Sequence, residues 1–136
     1  MPEIFQLIPQ RPPIVMVDVL WSADEAGAET GLTVLEDNIF VRNGHLREPG
    51  LIEHIAQSAA AFAGYGTFAR GEEPRLGYIG EIKDCNLLTL PAVGDALRTT
   101  IRMVAEAGGI RLISAETRVG EKIVASCLMK IFLKDG

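Results

Sequence analysis

Cysteine is scarce in this chain. Cys85 and Cys127 are its only two, they lie far apart, and no metal-ligand spacing joins them. Their expected state is a pair of buried free thiols in a reducing compartment. Long apolar runs are also missing. No stretch approaches the roughly 18 uninterrupted apolar residues of a membrane span, and the most apolar segment is broken by Glu53 and His54 side by side. Positive charge is in short supply: 13 Lys and Arg stand against 18 Asp and Glu, for a net charge of −5. That balance argues against a nucleic-acid module, which presents a basic face. The opening Met1-Pro2-Glu3 is neither apolar nor arginine-rich, so no targeting segment is expected and the cytoplasm is the expected location. There is no internal repeat, low-complexity tract or linker.

What is present suits one domain, residues 1–136, with one core: 48% of the residues are hydrophobic. The stretch from Phe40 to Arg70 dominates. It reads as a tight loop feeding one apolar helix. Pro49 fits the first turn, where its missing N–H is no loss. Glu48 sits at the positive end of the helix dipole. Leu51, Ile52, Ile55, Ala56, Ala59, Ala60 and Ala63 follow helical spacing, and Gly71 marks the stop. A helix this apolar on most faces belongs inside. Glu53 near its start is costly there without a partner or a task.

Around that helix the chain reads as strands. Pro2–Ile8 suits a short helical turn, and three prolines between Pro9 and Pro13 impose a stiff extended approach. Ile14–Leu20 and Ala28–Leu35 read as a hairpin joined at Asp24–Gly27. After an exposed loop at Glu72-Glu73-Pro74, a long strand runs from Leu76 to Leu90, bent at Gly77 and Gly80. Leu97–Ala105, Ile110–Val119 and Lys122–Leu133 follow, with Gly108-Gly109 as a strong hairpin signal. A hairpin, one buried helix and a four-strand meander, with no β-α-β alternation, predict an α+β domain: a curved antiparallel sheet wrapped around one long central helix. Such a sheet leaves open edges, and pairing them across a two-fold axis predicts a homodimer or a higher homo-oligomer.

Three segments resemble the hotdog-fold β-hydroxyacyl-acyl carrier protein dehydratases. L-I-P-Q-R-P-P-I-V-M-V-D (residues 7–18) resembles their opening P-H-R-P-P segment, with Gln10 at the usual histidine. N-G-H-L-R-E-P-G-L-I-E-H-I-A-Q-S-A-A-A (residues 43–61) resembles their G-H-F-P segment and the helix after it, with a shorter loop between His45 and Glu53. I-G-E-I-K-D-C-N-L-L-T-L-P-A-V-G-D (residues 79–95) resembles their long strand and P-G-D turn. The chain is most similar to the divergent members found with aryl-polyene or flexirubin-type pigment biosynthesis. The resemblance implies a hotdog fold and water loss from 3-hydroxyacyl thioesters in fatty acid or polyene lipid biosynthesis. It also implies an acyl carrier protein or acyl-CoA as partner, with no cofactor beyond the phosphopantetheine or CoA arm. His45 falls on the family's catalytic histidine, Glu53 on its helix carboxylate and Gln57 on its supporting glutamine. In the family, the histidine and the carboxylate that meet come from different subunits.

The chemistry fits those residue types. A neutral imidazole suits removal of the proton beside a thioester carbonyl. A sheltered carboxyl suits protonation of the leaving hydroxyl. Amides at a helix N-terminus suit the developing enolate, here those near Gly50 and Leu51, and a glycine lets the thioester come close. Plainer readings stand beside these. His45 suits a solvated loop, Glu53 a first-turn carboxylate, and Gln57 a side chain satisfying backbone groups. His54, about 100° around the helix from Glu53, reads as a packed or interface residue. His45, Glu53 and His54 do not have zinc spacing. Arg11, Arg42, Arg47, Arg70 and Arg75 suit either an acidic carrier or a solvated face. Two further functions share the scaffold: a thioesterase in which Glu53 activates water, and a non-catalytic acyl-binding subunit.

Overall fold

The structure, a computed structural model, describes residues 2–72 and 77–133, without the side chains of 77, 78 and 133. Glu73, Pro74 and Arg75, and the expected first residue of the long strand, Leu76, lie outside the described residues. One 22-residue helix, α1 (Glu48–Ala69), faces one antiparallel sheet. The strands are β1 (Val19–Ala23), β2 (Gly27–Thr33), β5 (Gly77–Leu87), β6 (Ala96–Ala107), β7 (Ile110–Val119) and β8 (Lys122–Leu133). A small hairpin, β3 (Val41–Arg42) with β4 (His45–Leu46), leads into the helix. This is the hotdog arrangement.

The sheet order is β1-β2-β6-β7-β8-β5, which corrects the expected four-strand meander. Of the four strands after the helix, only β6, β7 and β8 neighbour one another in chain order. The helix separates β2 from β5 in sequence and carries the chain across the width of the sheet. β5 therefore enters at the far edge beside β8, and β6 returns to pair with β2 from Gly27↔Arg102 to Thr33↔Ala96. At the β6–β7 turn, Gly108 and Gly109 both have positive φ (57° and 81°), as a two-residue hairpin of the primed type requires.

A second correction concerns the first expected strand. Ile14–Leu20 does not join the sheet as a whole; β1 starts at Val19. Backbone groups before it are spent on helix side chains instead. Met16 N–H donates to Gln57 Oε1, and the Ile14 and Met16 carbonyls accept from Gln57 and His54. The ladder opens only where Asp18 N–H meets the Gly31 carbonyl.

The core lies between α1 and the sheet. Ile101, Ile113, Ala115, Ala125 and Met129 point inward onto Ile55, Ala59 and Phe62. Each large aliphatic side chain so buried contributes about 1.5–3 kcal/mol. At Gly64 the helix meets the N-terminal segment so closely that a Cβ would sit 2.1 Å from the Leu7 carbonyl oxygen. A second cluster, including Met16, Leu46, Leu51 and Leu97, fixes the start of α1. Cys127 is buried, and burial, with Cys85 nearby, pushes its thiol up to about 11. Cys85 is exposed on β5, not buried as expected. Among the described residues, no helix is long and apolar enough to cross a membrane.

Candidate active site

The site begins at the Asn43-Gly44 turn. Both residues have positive φ (55° and 76°), which Asn and Gly tolerate best, so the dipeptide closes the β3–β4 hairpin. His45 follows on β4 and is exposed. Its Nδ1 lies 3.1 Å from the Asn43 carbonyl. A carbonyl only accepts, so in the neutral ring Nδ1 carries the proton and Nε2 is left with the free lone pair.

The helix starts one turn later. Arg47 is its N-cap in extended conformation, with its own N–H bound to the Phe40 carbonyl at 2.9 Å. The amides of Gly50 and Leu51 both donate to the Arg47 carbonyl, at 2.9 and 3.2 Å. This corrects the expectation that they are free donors, because helical bonding already uses them. Gly50 also has a different task from the expected one. A Cβ there would lie 2.6 Å from Phe40 Cβ and 2.7 Å from Leu46 Cδ1, so the space beside Gly50 is filled by the protein's own side chains. Glu48 N–H, in the first turn, has no acceptor among the described residues, and Pro49 has no N–H to offer.

Glu53 is half-buried one turn into α1. Gln57, on the same face, donates to Glu53 Oε2 at 2.8 Å. Both sequence readings of Gln57 therefore hold together: it supports the carboxylate and it satisfies backbone groups at Ile14 and Met16. Glu53 Oε1 has no protein partner among the described residues. His54 points away from Glu53 into the core and is fully buried. Its Nδ1 lies 2.6 Å from the Met16 carbonyl and its Nε2 2.7 Å from Thr99 Oγ1. Burial pushes its pKa from the ordinary 6.5 down to about 4, so the ring is neutral near pH 7. Asp18, before β1, accepts from Thr33 N–H at 2.9 Å, and burial raises its carboxyl.

Within one chain no hydrogen bond or ion pair among the described residues joins His45 to Glu53. The apolar cavities lie elsewhere. One of about 580 Å³ sits between the N-terminal segment and Val15–Leu20, and one of about 370 Å³ runs along Pro12–Asp18 to Leu35 and Asn38; neither is lined by His45 or Glu53. Of the arginines expected to gather, Arg11, Arg42, Arg47 and Arg70 lie among the described residues. Arg11 folds back over the Phe5 ring and onto the Phe5, Ile8 and Gln10 carbonyls. Arg47 and Arg70 form exposed ion pairs with Glu48 and Glu72, and Arg42 is exposed on β3.

One long helix packed against one antiparallel sheet is the fold of the hotdog proteins, which dehydratases and thioesterases share. The family model of the ApeP-like dehydratases (ApeP dehydratase) matches residues 2–135, and the chain belongs to that family. It is 30% identical over 134 residues to the 3-hydroxyacyl-[acyl-carrier-protein] dehydratase FabZ of Lactiplantibacillus plantarum, covering 92% of this chain and 86% of that protein. The FabZ of Macrococcus caseolyticus is 28% identical, with 92% and 88% covered. Among solved structures, the dehydratase heterocomplex ApeI:P from Xenorhabdus doucetiae superposes with a TM-score of 0.91 at 16% identity, covering 99% of this chain and 93% of that one. A hypothetical thioesterase from Streptococcus pneumoniae TIGR4, solved with coenzyme A, shares the fold at a TM-score of 0.69 and 13% identity, with 85% and 84% covered.

Proposed function

We propose that this protein is a dehydratase of 3-hydroxyacyl thioesters carried by an acyl carrier protein, with Glu53 as the acid. The observation that carries this reading is the orientation of Gln57. Its Oε1 is held by Met16 N–H, so its Nε2 faces Glu53 and donates to Oε2. Oε2 is thereby an acceptor, and the acid's proton sits on Oε1, the oxygen left open to substrate. The base is His45, whose Nε2 lone pair is free. In the reaction His45 takes the proton from C2, the C2=C3 bond forms, and the C3 hydroxyl leaves as water with the Glu53 proton. The sequence of bonds balances with no redox partner, and the phosphopantetheine or CoA arm arrives with the substrate. The enolate oxygen is served at the helix N-terminus by the Glu48 amide rather than by Gly50 or Leu51.

The partner of Glu53 is the His45 of a second copy. The helix side carrying Glu53, Ala56, Ala60 and Ala63 is only half covered by its own chain, and small residues there leave room for a second helix. Strand β5 is an edge, exposed at Ile79 and Ile82, where sheet pairing across a two-fold axis would complete both sites. A different chain in place of the copy is the alternative assembly, and the similar ApeI:P structure is a heterocomplex. The substrate expected from the resemblance of the three segments belongs to aryl-polyene or flexirubin-type assembly, in the cytoplasm. The test offers 3-hydroxybutyryl thioesters on carrier protein and on CoA. Enoyl thioester is expected, with the carrier form preferred. Free thiol without enoyl product would mean a thioesterase, and binding without either product would mean a non-catalytic acyl-binding subunit.

A further inference from the structure

We propose that His54 is a positioning residue for the reaction: it pins the Ile14–Met16 segment so that Gln57 holds the Glu53 carboxyl in place. The inference rests on Glu53 being the acid. Hydrogen-bond directions along the path are fixed by the groups that can only give or only accept. The Met16 carbonyl only accepts, so His54 Nδ1 carries the ring proton and donates at 2.6 Å. In a neutral ring Nε2 must then accept, and it does so from Thr99 Oγ1 at 2.7 Å; Thr99 Oγ1 in turn accepts from Thr117 Oγ1 at 2.6 Å. On the other side of the same residue, Met16 N–H only donates, which fixes Gln57 Oε1 at 2.6 Å. Gln57 Nε2 then spends its two hydrogens on the Ile14 carbonyl and on Glu53 Oε2. His54, Gln57, Thr99 and Thr117 are all wholly buried, so no water is at hand to replace a lost partner.

The physical consequence is local. Ile14–Val17 has no strand neighbour among the described residues, because β1 begins at Val19. The Met16 backbone is therefore held by two side chains of α1, Gln57 at its N–H and His54 at its carbonyl, while its side chain packs in the second cluster. Without the His54 bond the Met16 backbone is free to tilt. Its N–H leaves Gln57 Oε1, the amide can turn over, and Glu53 Oε2 loses its donor. A misplacement of about 1 Å at a reacting group can cost about 10²-fold in rate.

The test compares two substitutions in the full chain. His54→Asn places an amide nitrogen where Nδ1 stood and keeps a donor for Met16. His54→Gln places its amide where Nε2 stood and keeps the Thr99 contact alone. On a 3-hydroxybutyryl carrier thioester, H54N is expected to keep kcat within about 3-fold of the parent. H54Q is expected to lose about 30-fold in kcat with KM within about 2-fold. Equal losses in the two variants, losses that track the fall in melting temperature, or parental kcat in H54Q would overturn the proposal. Glu53→Gln, run alongside, separates the two ideas. If E53Q is inactive while H54Q matches H54N, only the positioning role falls; if E53Q keeps parental turnover, both fall. Should either histidine variant fail to fold, the parent still decides the matter. Long-range ¹H–¹⁵N spectra of the imidazole near pH 7 are expected to show His54 protonated at Nδ1, and an Nε2–H tautomer would overturn the proposal.

Discussion

At the residue scale, a few atoms with one possible role each determine the proposed site. Glu53 and Gln57 are four apart on α1, so their pairing follows from helical spacing and was legible in the sequence. The other ends of Gln57 were not, because Ile14 and Met16 are more than forty residues away and ordinary pattern reading has no access to such contacts. Gly50 was legible as a place of close approach, but what approaches is Phe40 and Leu46, visible only once β3 and β4 fold over the helix start. His54 also carries a pH dependence. Its folded pKa, about 4, lies below its ordinary 6.5. Between these values the unfolded chain binds the proton and the folded chain does not. Stability from this group is therefore complete above about pH 6.5 and is lost as pH falls towards 4, by about 3 kcal/mol in all. Asp18 works in the opposite direction, since its raised carboxyl favours the folded state on acidification. Denaturant midpoints of the parent and H54N across pH 4–7 isolate the histidine. The parent is expected to lose more stability than H54N as the pH falls, and parallel curves would contradict the assignment.

At the element scale, α1 organises its surroundings through both its faces. Its bounds, Glu48–Ala69, match the sequence reading within a residue at each end, because Pro49 and Gly71 mark them chemically. The long strands after it were legible from their alternation and glycine turns. The extended Ile14–Val17 segment was misread because its composition suits a strand, while its hydrogen bonds go to helix side chains. That difference can be measured. The Met16 amide is expected to exchange with solvent as slowly as a core strand amide, although it lies outside every strand. Gln57→Leu leaves the buried Met16 N–H and the part-buried Ile14 carbonyl without their side-chain partner. It is expected to cost about 2–4 kcal/mol in denaturant unfolding and to remove the protection at Met16. Loop-like exchange at Met16 in the parent would contradict this account.

At the scale of the whole molecule, the two residues of the proposed site, His45 and Glu53, are not joined by any hydrogen bond or ion pair among the described residues of one chain. His45 stands exposed on β4, with Nε2 open, and Glu53 stands on the half-covered side of α1 with Oε1 open. The strand order places β5 at an edge, where a second sheet can add. This order was not legible in the sequence: strand patterns give faces, not neighbours, and the crossing by α1 sets which strand ends at which edge. In the proposed assembly, Glu53 of one copy and His45 of another act on the same thioester. The most direct measurement mixes two variants, Glu53→Gln and His45→Ala, refolded together in equal amounts and assayed for enoyl thioester. Each variant alone is expected to be nearly inactive, and the mixture to recover about a quarter of parental activity, since half of randomly paired dimers hold one intact site. Parental turnover by E53Q alone, or a mixture no more active than its components, would contradict it.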